Sequence, residues 1–341
     1  MDFKFRLLLL SIFTSLGYLS TGCSTSSPTQ VEEPAESLGE SLTLPAVEAV
    51  SLNGNLLRVV ATTSIIGDVV SQVGGEAIDL VTLMGPGIDP HSYQPGAQDL
   101  TVVENAHVIF INGWDLEEAL VGDLTTIGRG VPVIPISAGI SPIGFDEHTH
   151  EENHAAGEER HIGVDPHVWF NVENVKQWVK NTEFVLSTLD PANSENYSIN
   201  AQQYLGALET LEKYIEEQLT YIPPENRILV TNHDSFGYFA EAYGFEVLGT
   251  VIPAASTLAE PSAADLAELI QAMEDHHICN LFTEITVSDT LAQTVAGELD
   301  NCSEVEVISL YTGAVGPVGS GAENYIAMFR TNVDKIVEGL R

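Results

Sequence analysis

Two short stretches place a histidine directly after an Asp-Pro pair, at His91 in "GIDPHSYQP" and at His167 in "GVDPHVWFN". An Asp-Pro pair favours a turn, because proline fixes its own φ and pushes the preceding residue out of the helical region. Each histidine is therefore expected on a stiff loop rather than on the face of a helix. One such histidine is weak evidence for a ligand, but two written in the same way indicate a common purpose.

A third histidine, His233, directly follows the predicted strand "RILVTN". His91 follows the predicted strand "DLVTLM" on a loop rich in glycine and proline, and His167 lies where a loop gives way to a helix. In an open parallel sheet, ligands collect at the carboxyl ends of the strands. Three neutral imidazoles bind zinc at about 2.0–2.1 Å and leave one coordination position open. Each would be an ordinary loop histidine if it stood alone, but together they could form one metal site.

Short apolar runs that alternate with helical stretches must position these side chains. The predicted strands of the first half are "LRVVATT", "DLVTLM", "HVIFIN" and "VPVIPIS", and those after residue 225 are "RILVTN", "FEVLGTV", "NLFTEI" and "VEVISLY". Continuous apolar strands between helices are typical of a parallel sheet covered on both faces. The predicted fold class is therefore α/β, with two lobes, each a parallel β-sheet flanked by helices.

A long helix is predicted between the lobes, over "SENYSINAQQYLGALETLEKYIEEQLTYI". Its apolar residues recur at helical spacing, and its length of about 40 Å is enough to reach both lobes. A stiff connector of this kind resists wide hinge opening. The predicted organisation is an amino-terminal lobe at 56–192, a bridging helix at 193–222 and a carboxy-terminal lobe at 223–341, with the metal site in the cleft between the lobes.

The amino terminus has the pattern of a targeting segment. Lys4 and Arg6 precede the apolar run "LLLLSIFTSLGYL", and "STGC" follows it. This pattern predicts a signal peptide at 1–22 that is cleaved before a lipidated Cys23, with simple secretion as the alternative. Residues 23–55 are rich in Ser, Pro, Glu and Gly, and they are predicted to be a disordered tether. The expected location is extracytoplasmic, lipid-anchored to the cell membrane, in the periplasm or on the cell surface.

The charge balance restricts the partners. The chain carries 49 acidic and 12 basic side chains, a formal net charge of -37. Such a chain repels nucleic acid and anionic membrane surfaces. An oxidising compartment would permit a disulfide between Cys279 and Cys302, and two buried thiols are the alternative.

From about residue 57 to 341 the sequence closely resembles the solute-binding lipoproteins of zinc and manganese ABC transporters, the cluster A-I metal-binding proteins. The matching motifs include "GPGIDPHSYQP", "VDPHVWFNVENV", "TNHDSFGYFAEAYGFEV" and "FTEITVSDTLAQTVA". The resemblance implies two α/β lobes bridged by one long helix, with metal held in the cleft. It places the family's first three ligands on His91, His167 and His233. It also implies an ABC permease and its ATPase as partners of a monomeric, non-enzymatic protein.

The sequence departs from the family at the fourth ligand. Family members commonly place an aspartate two residues after the leucine-aromatic pair that ends the last strand, and here Gly313 stands there. Water or a carboxylate from elsewhere would then complete the coordination shell. Glu284 is one candidate ligand, and a structural pair with Arg330 is the alternative for it. If the position is open and the loop backbone tolerates the change, an aspartate placed at 313 should meet the metal and raise the affinity for manganese more than that for zinc.

Three nitrogen ligands predict zinc as the bound ion, with manganese second, because manganese prefers more oxygen ligands. The acidic segment 145–161 supports this choice, since it is a plausible weak collector of zinc. Its histidines are His148, His150, His154 and His161. The alternative is a solvated acidic loop whose histidines bind nothing.

Two other functional classes share these features. Three histidines and a water also form the catalytic centre of a zinc hydrolase or hydratase, because zinc lowers the pKa of bound water. The sequence offers no identifiable general base or oxyanion-stabilising group for such chemistry. A surface adhesin would share the fold.

Overall fold

A computed structural model describes residues 41–117, 120, 122, 124, 130–145 and 163–341. The predicted signal peptide, the lipidation site Cys23 and most of the acidic segment lie outside the described residues. So do its four histidines, His148, His150, His154 and His161.

The first lobe is built on a four-stranded parallel sheet in the order β2-β1-β3-β4. Its strands are β1 (Leu57–Ala61), β2 (Ile78–Thr82), β3 (Val108–Ile111) and β4 (Val133–Pro135). Two helices follow the first two strands, α1 (Ser64–Gly74) and α2 (Ala97–Glu104). Every residue of β3 is buried, as expected of a central strand that is covered on both faces.

Along the chain, a small antiparallel strand pair and two helices lie between the strands of the two large sheets. The strand pair consists of β5 (Gly144–Phe145) and β6 (Gly163–Val164), and the helices are α3 (Val172–Leu189) and α4 (Ser194–Leu219). Short 3-10 turns lie at Gly75–Ala77, Val168–Phe170, Pro191–Asn193 and Pro224–Asn226.

The second lobe repeats the plan of the first. Its strands are β7 (Ile228–His233), β8 (Glu246–Ile252), β9 (Asn280–Glu284) and β10 (Glu306–Leu310). Its helices are α5 (Gly237–Tyr243), α6 (Ala263–Asp275), α7 (Thr290–Glu298) and α8 (Tyr325–Leu340). The sheet order is β10-β9-β7-β8, with all neighbours parallel. Counted from the first strand of each lobe, both sheets have the order 2-1-3-4, and the predicted α/β class is confirmed.

Helix α4 bridges the lobes. It packs against α1 and α3, and also against α8 of the second lobe. Its buried residues recur every three or four positions, which is the period of one helical face: Tyr197, Ala201, Tyr204, Leu208, Leu211, Ile215 and Leu219. Its 26 residues extend about 39 Å at 1.5 Å per residue.

An aromatic core continues from one lobe into the other. Phe170 stacks on Phe236 with ring centroids 4.5 Å apart. The hydroxyl of Tyr325, the first residue of α8, donates to the carbonyl oxygen of Trp169 at 2.7 Å. All four of these side chains are almost completely buried. Because buried aromatic packing tolerates little displacement, this junction opposes large separation of the lobes.

Part of the predicted tether is packed on the core. Leu44, Val47, Val50 and Leu52 are partly buried against it. The amide of Val50 donates to the carbonyl oxygen of Leu189 at 2.8 Å. The prediction that 23–55 forms a disordered tether is therefore wrong for this stretch. Its apolar residues follow neither a helical nor a strand period, yet they still bury individually against the first lobe.

Within the ranges that the structure describes, no helix is both long enough and apolar enough to cross a membrane.

Cys279 and Cys302 form a disulfide with Cα atoms 5.7 Å apart. Cys279 precedes β9, so the bond lies at the amino end of the second sheet, whereas the histidine of this lobe lies at the carboxyl end of β7.

We expect replacement of both cysteines by serine to lower the free energy of unfolding and to leave metal affinity unchanged. A cross-link over a sequence separation of 23 residues restricts the unfolded chain by about 3 kcal/mol. Denaturant titration and metal titration of the double variant would measure the two quantities. A large loss of metal affinity in a folded variant would contradict the prediction that the disulfide stabilises the fold without affecting the metal site.

Candidate metal centre

The three predicted histidines converge in the buried space between the lobes. The Nε2 atoms of His91 and His167 are 3.2 Å apart, and those of His233 and His167 are 3.1 Å apart. One ligand atom from each of the three lies within 4.8 Å of the others. The side chains are only 3%, 1% and 1% exposed, respectively. The structure thus brings together three nitrogen atoms that face one point.

The two Asp-Pro-His stretches form the same turn. The Oδ1 atom of Asp89 accepts the backbone N–H of His91 at 3.0 Å, and Oδ1 of Asp165 accepts that of His167 at 2.9 Å. In each case an aspartate side chain caps the amide two residues later, which is the geometry of an Asx turn. The repeated sequence therefore has a physical meaning, because it presents an imidazole from a rigid loop at two places.

His233 reaches the site differently, because it is the last residue of β7. Strand β7 has β8 on one side and β9 on the other, so the order of connections reverses beside it. In doubly wound sheets this is the place where ligands bind. Glu284 ends the neighbouring strand β9, and parallel pairing brings the two strand ends to the same edge.

Two buried carboxylates determine which nitrogen of His167 and of His233 faces the centre. Oδ1 of Asp165 lies 2.8 Å from Nδ1 of His167, and Oε1 of Glu284 contacts Nδ1 of His233. A carboxylate oxygen that accepts a hydrogen bond requires a proton on Nδ1, so Nε2 carries the lone pair. Metal-binding histidines are oriented by the same kind of carboxylate partner.

The close approach of the Nε2 atoms of His167 and His233 requires a proton or a metal ion between them. If both Nδ1 atoms carry protons, neutral His167 and His233 would point lone pairs at each other across 3.1 Å. Either a proton or a metal ion must offset that repulsion. Nitrogen ligands at 2.05 Å around a tetrahedral ion are about 3.3 Å apart, so the observed separations match a shared metal ion.

Burial keeps two of the histidines neutral. It lowers the pKa of His91 to about 3, helped by the nearby His167 and His233. It also holds the pKa of His167 well below its ordinary value. Neutral imidazole is the form that binds a metal ion, so neither residue has to lose a proton near pH 7.

His233 differs because of Glu284. Burial alone would lower the pKa of His233, but the charge and hydrogen bond of Glu284 outweigh it and raise the pKa. Burial likewise opposes ionisation of Glu284, yet His233 holds the pKa of that carboxyl below its usual value. The raised pKa favours a proton on Nε2 of His233, and such a proton can take the place of the cation in the metal-free protein.

Asp165 is the second acidic group at the centre. Burial raises its pKa to about 7, although the backbone hydrogen bond from His167 opposes this. A dication bound to His167 would favour the ionised carboxylate. Together with Glu284 it would then offset the charge of the ion.

Comparison with known proteins identifies the group to which this architecture belongs. The family described as "Zinc-uptake complex component A periplasmic" matches residues 59–339.

The chain belongs to this family.

Relatives and solved structures agree with the family match. The manganese-binding lipoprotein MntA of Halalkalibacterium halodurans is 34% identical over 291 residues, which cover 85% of this chain and 90% of that protein. The periplasmic zinc-binding protein TroA from Treponema pallidum has a solved structure with a TM-score of 0.74 and 30% identity, covering 84% of this chain and 99% of that one. A manganese-bound periplasmic metal-binding protein from Candidatus Liberibacter asiaticus gives a TM-score of 0.71 and 29% identity, covering 83% and 99%. The resemblance seen in the motifs is confirmed.

Glu284 does not form the predicted alternative pair with Arg330. Its oxygen atoms contact His233, Asn232 and Thr312. The guanidinium of Arg330 instead lies 3.8 Å over the ring of Tyr214. Among the described residues, no carboxylate belongs to the group of converging ligand atoms. The geometry favours Glu284 as the partner of His233 rather than as a fourth ligand.

Gly313, where this chain departs from the family pattern, lies against the turn of His91. A Cβ atom built on it would be 2.7 Å from Cδ of Pro90 and 3.3 Å from Cγ. A side chain at 313 therefore requires a shift of the Pro90 ring, which precedes His91, or of the backbone at 313. An aspartate at 313 could fill an open position only after such a shift, so this expectation stays a prediction.

Sequence reasoning missed the partners of the three histidines. Asp89 and Asp165 were assigned only to turns, although their position two residues before each histidine is the sequence pattern of an Asx turn. Thr312 carried no sequence pattern, because it meets Glu284 only through the pairing of β9 with β10.

The raised pKa of His233 predicts that metal affinity falls as the solution becomes more acidic. Below that pKa the metal has to displace a proton, so affinity rises with pH and levels off once the pKa is passed. We expect metal binding to release the proton of His233 below its raised pKa and, below about pH 7, the proton of Asp165 as well. Calorimetry in buffers of different ionisation enthalpy would count the protons. Affinity independent of pH below the raised pKa of His233 would contradict the assignment.

The contact of Gly313 with Pro90 predicts that Gly313→Ala weakens the binding of zinc and manganese alike. The added methyl group would push away the His91 turn without offering a ligand. Gly313→Asp should show the same loss and no shift towards manganese. Affinities for both ions, with circular dichroism to confirm folding, would test this. A folded Gly313→Asp protein with increased preference for manganese would support the open-position hypothesis.

Proposed function

We propose that this protein captures a divalent transition-metal cation outside the cytoplasm, zinc in preference to manganese, and delivers it to the permease of an ABC transporter. The observation that carries the proposal is the convergence of three buried imidazole Nε2 atoms on one point. Membership of a family of metal-binding substrate-binding proteins supports the transport role.

The choice of zinc rests on the donor atoms. Imidazole nitrogens suit zinc, whereas manganese prefers carboxylate, carbonyl and water oxygens. In the part of the chain that the structure describes, the converging ligands are three nitrogens and no carboxylate oxygen. The relatives do not distinguish the two ions, since MntA is described as manganese-binding and TroA as zinc-binding. We give the donor set more weight, because it belongs to this chain.

Capture is proposed to involve local loop movement rather than wide separation of the lobes. The bridging helix α4 packs on both lobes, and the Phe170–Phe236 stack joins them beside the site. The ligands of the first lobe lie on loops, and loops rearrange more readily than packed helices. Cys23 is the proposed lipid anchor that keeps the protein near its permease and ATPase.

A zinc hydrolase or hydratase remains the competing class, with His91, His167 and His233 as the catalytic ligands. Such an enzyme needs a group that accepts a proton from the metal-bound water. The two carboxylates at the centre, Asp165 and Glu284, are both engaged with histidine Nδ1 atoms. This arrangement supports binding over hydrolysis, and esterase or hydratase activity that tracked zinc content would favour the enzyme instead.

We expect His91→Ala, His167→Ala and His233→Ala each to weaken zinc binding by more than the roughly 10–100-fold that the loss of a supporting outer group costs. The wild-type chain should bind one zinc ion tightly and prefer zinc when both ions compete at limiting amounts. Competition titration followed by elemental analysis would measure stoichiometry and preference. His107→Ala is the matched control, because His107 accepts from the amide of Arg58 away from the centre.

Full zinc affinity in any of the three histidine variants would remove that residue from the site. Preferential retention of manganese by the wild-type chain would assign it to the manganese members of the family.

A further inference from the structure

The segment that follows β10, Thr312–Gly313, contacts the supports of all three histidines. The carbonyl oxygen of Thr312 accepts the indole N–H of Trp169 at 2.9 Å. The hydroxyl of Thr312 donates to Oε2 of Glu284 at 2.5 Å. The backbone of Gly313 packs against Pro90. Short stretches from both lobes therefore meet at this one point.

The hydrogen bond between Thr312 and Trp169 restricts the position of the His167 imidazole. Trp169 lies two residues after His167, and its ring meets the imidazole edge-on with centroids 5.3 Å apart. Trp169 and Thr312 are each 1% exposed. A buried indole N–H without an acceptor is costly, so the Thr312 carbonyl fixes the place of the indole. The indole in turn limits where the imidazole of His167 can lie.

The hydrogen bond between Thr312 and Glu284 restricts the orientation of the His233 imidazole. One oxygen of this carboxylate contacts Nδ1 of His233, and the other accepts from Thr312. With both oxygens engaged, the carboxylate cannot rotate, and its hydrogen bond holds the imidazole in one orientation. Hydrogen bonds to an ionised carboxylate are stronger than those between neutral groups, so the hydroxyl of Thr312 is an effective restraint.

We propose that Thr312 is a positioning residue that sets the separation between the imidazoles of His167 and His233 and thereby favours zinc over manganese. This inference rests on the proposed function, because it concerns the same site. Zinc depends on three nitrogens held at fixed spacing, whereas manganese can replace a misplaced nitrogen with water oxygen. Loss of the hydrogen bonds that link Thr312 to Trp169 and Glu284 should therefore lower the affinity for zinc more than the affinity for manganese.

The test compares Thr312→Val with Thr312→Ser. Valine keeps the shape of threonine and the backbone carbonyl but removes the hydroxyl, whereas serine keeps the hydroxyl. We expect Thr312→Val to weaken zinc binding about tenfold and manganese binding less, and Thr312→Ser to retain most of the affinity. The measurements are zinc and manganese affinities together with the unfolding transition of the metal-free protein.

Thr182→Val is the matched control for loss of a buried threonine hydroxyl. Thr182 is fully buried in α3, and its hydroxyl donates to the carbonyl oxygen of Trp178 at 2.8 Å. This variant should lower stability without altering the ratio of zinc to manganese affinity. A role for Thr312 in stability alone would make Thr312→Val behave in the same way, which would overturn the proposal.

Trp169→Phe tests the hydrogen bond between Trp169 and Thr312, and it replaces Thr312→Val as the test if that variant does not fold. Phenylalanine keeps an aromatic ring beside His167 but removes the N–H that Thr312 accepts. We expect weaker zinc binding, and in the double variant a loss smaller than the product of the two single losses. Wild-type zinc affinity in folded Thr312→Val or folded Trp169→Phe would overturn the proposal. Equal losses in Thr312→Val and Thr312→Ser would also do so.

The wild-type protein measured alongside separates this proposal from the proposed function. If the wild type binds neither zinc nor manganese, the proposed function fails. If it binds zinc and the variants bind it equally well, only the role of Thr312 fails.

Discussion

The arrangement of the centre follows from one constraint: the Nε2 atom of His167 lies within hydrogen-bond distance of the Nε2 atoms of His91 and His233, so a proton or a metal ion must lie between them. The distances between Nε2 atoms are 3.1 and 3.2 Å, and carboxylates on the far side of His167 and His233 keep those atoms turned inward. Nitrogen lone pairs repel at this separation unless a proton or a metal ion lies between them. The three histidines are almost completely buried, so electrostatic interactions at the site are strong.

The two lobes meet this constraint by different means on one shared plan. Each sheet has the strand order 2-1-3-4, and His233 lies at the carboxyl end of a strand in the second sheet. The first lobe contributes two Asx turns, which present His91 and His167 from loops. The second contributes a strand end, where His233 is supported by Glu284 from the next strand. The aromatic junction and helix α4 then hold the two halves in register.

The sequence predicted the parts of the centre that depend on local patterns. His91, His167 and His233 each follow a strand end or an Asp-Pro turn, and topology alone brings such positions together. It could not predict contacts between segments that are distant in the chain. The closeness of Gly313 to Pro90 is one such contact, because only the folded structure places these two residues together. The packing of Leu44 and Val50 on the core was missed for a similar reason, since isolated apolar residues have no period that identifies their partners.

The central claim is that one zinc ion binds to the three Nε2 atoms. Zinc-edge X-ray absorption of the zinc-loaded protein, with an anomalous difference map from its crystals, would test it most directly. We expect one ion with three imidazole nitrogens at about 2.0–2.1 Å and a water oxygen in the fourth position. A zinc ion bound directly by the carboxylate of Glu284, or one that lacked His91, His167 or His233 among its ligands, would contradict it.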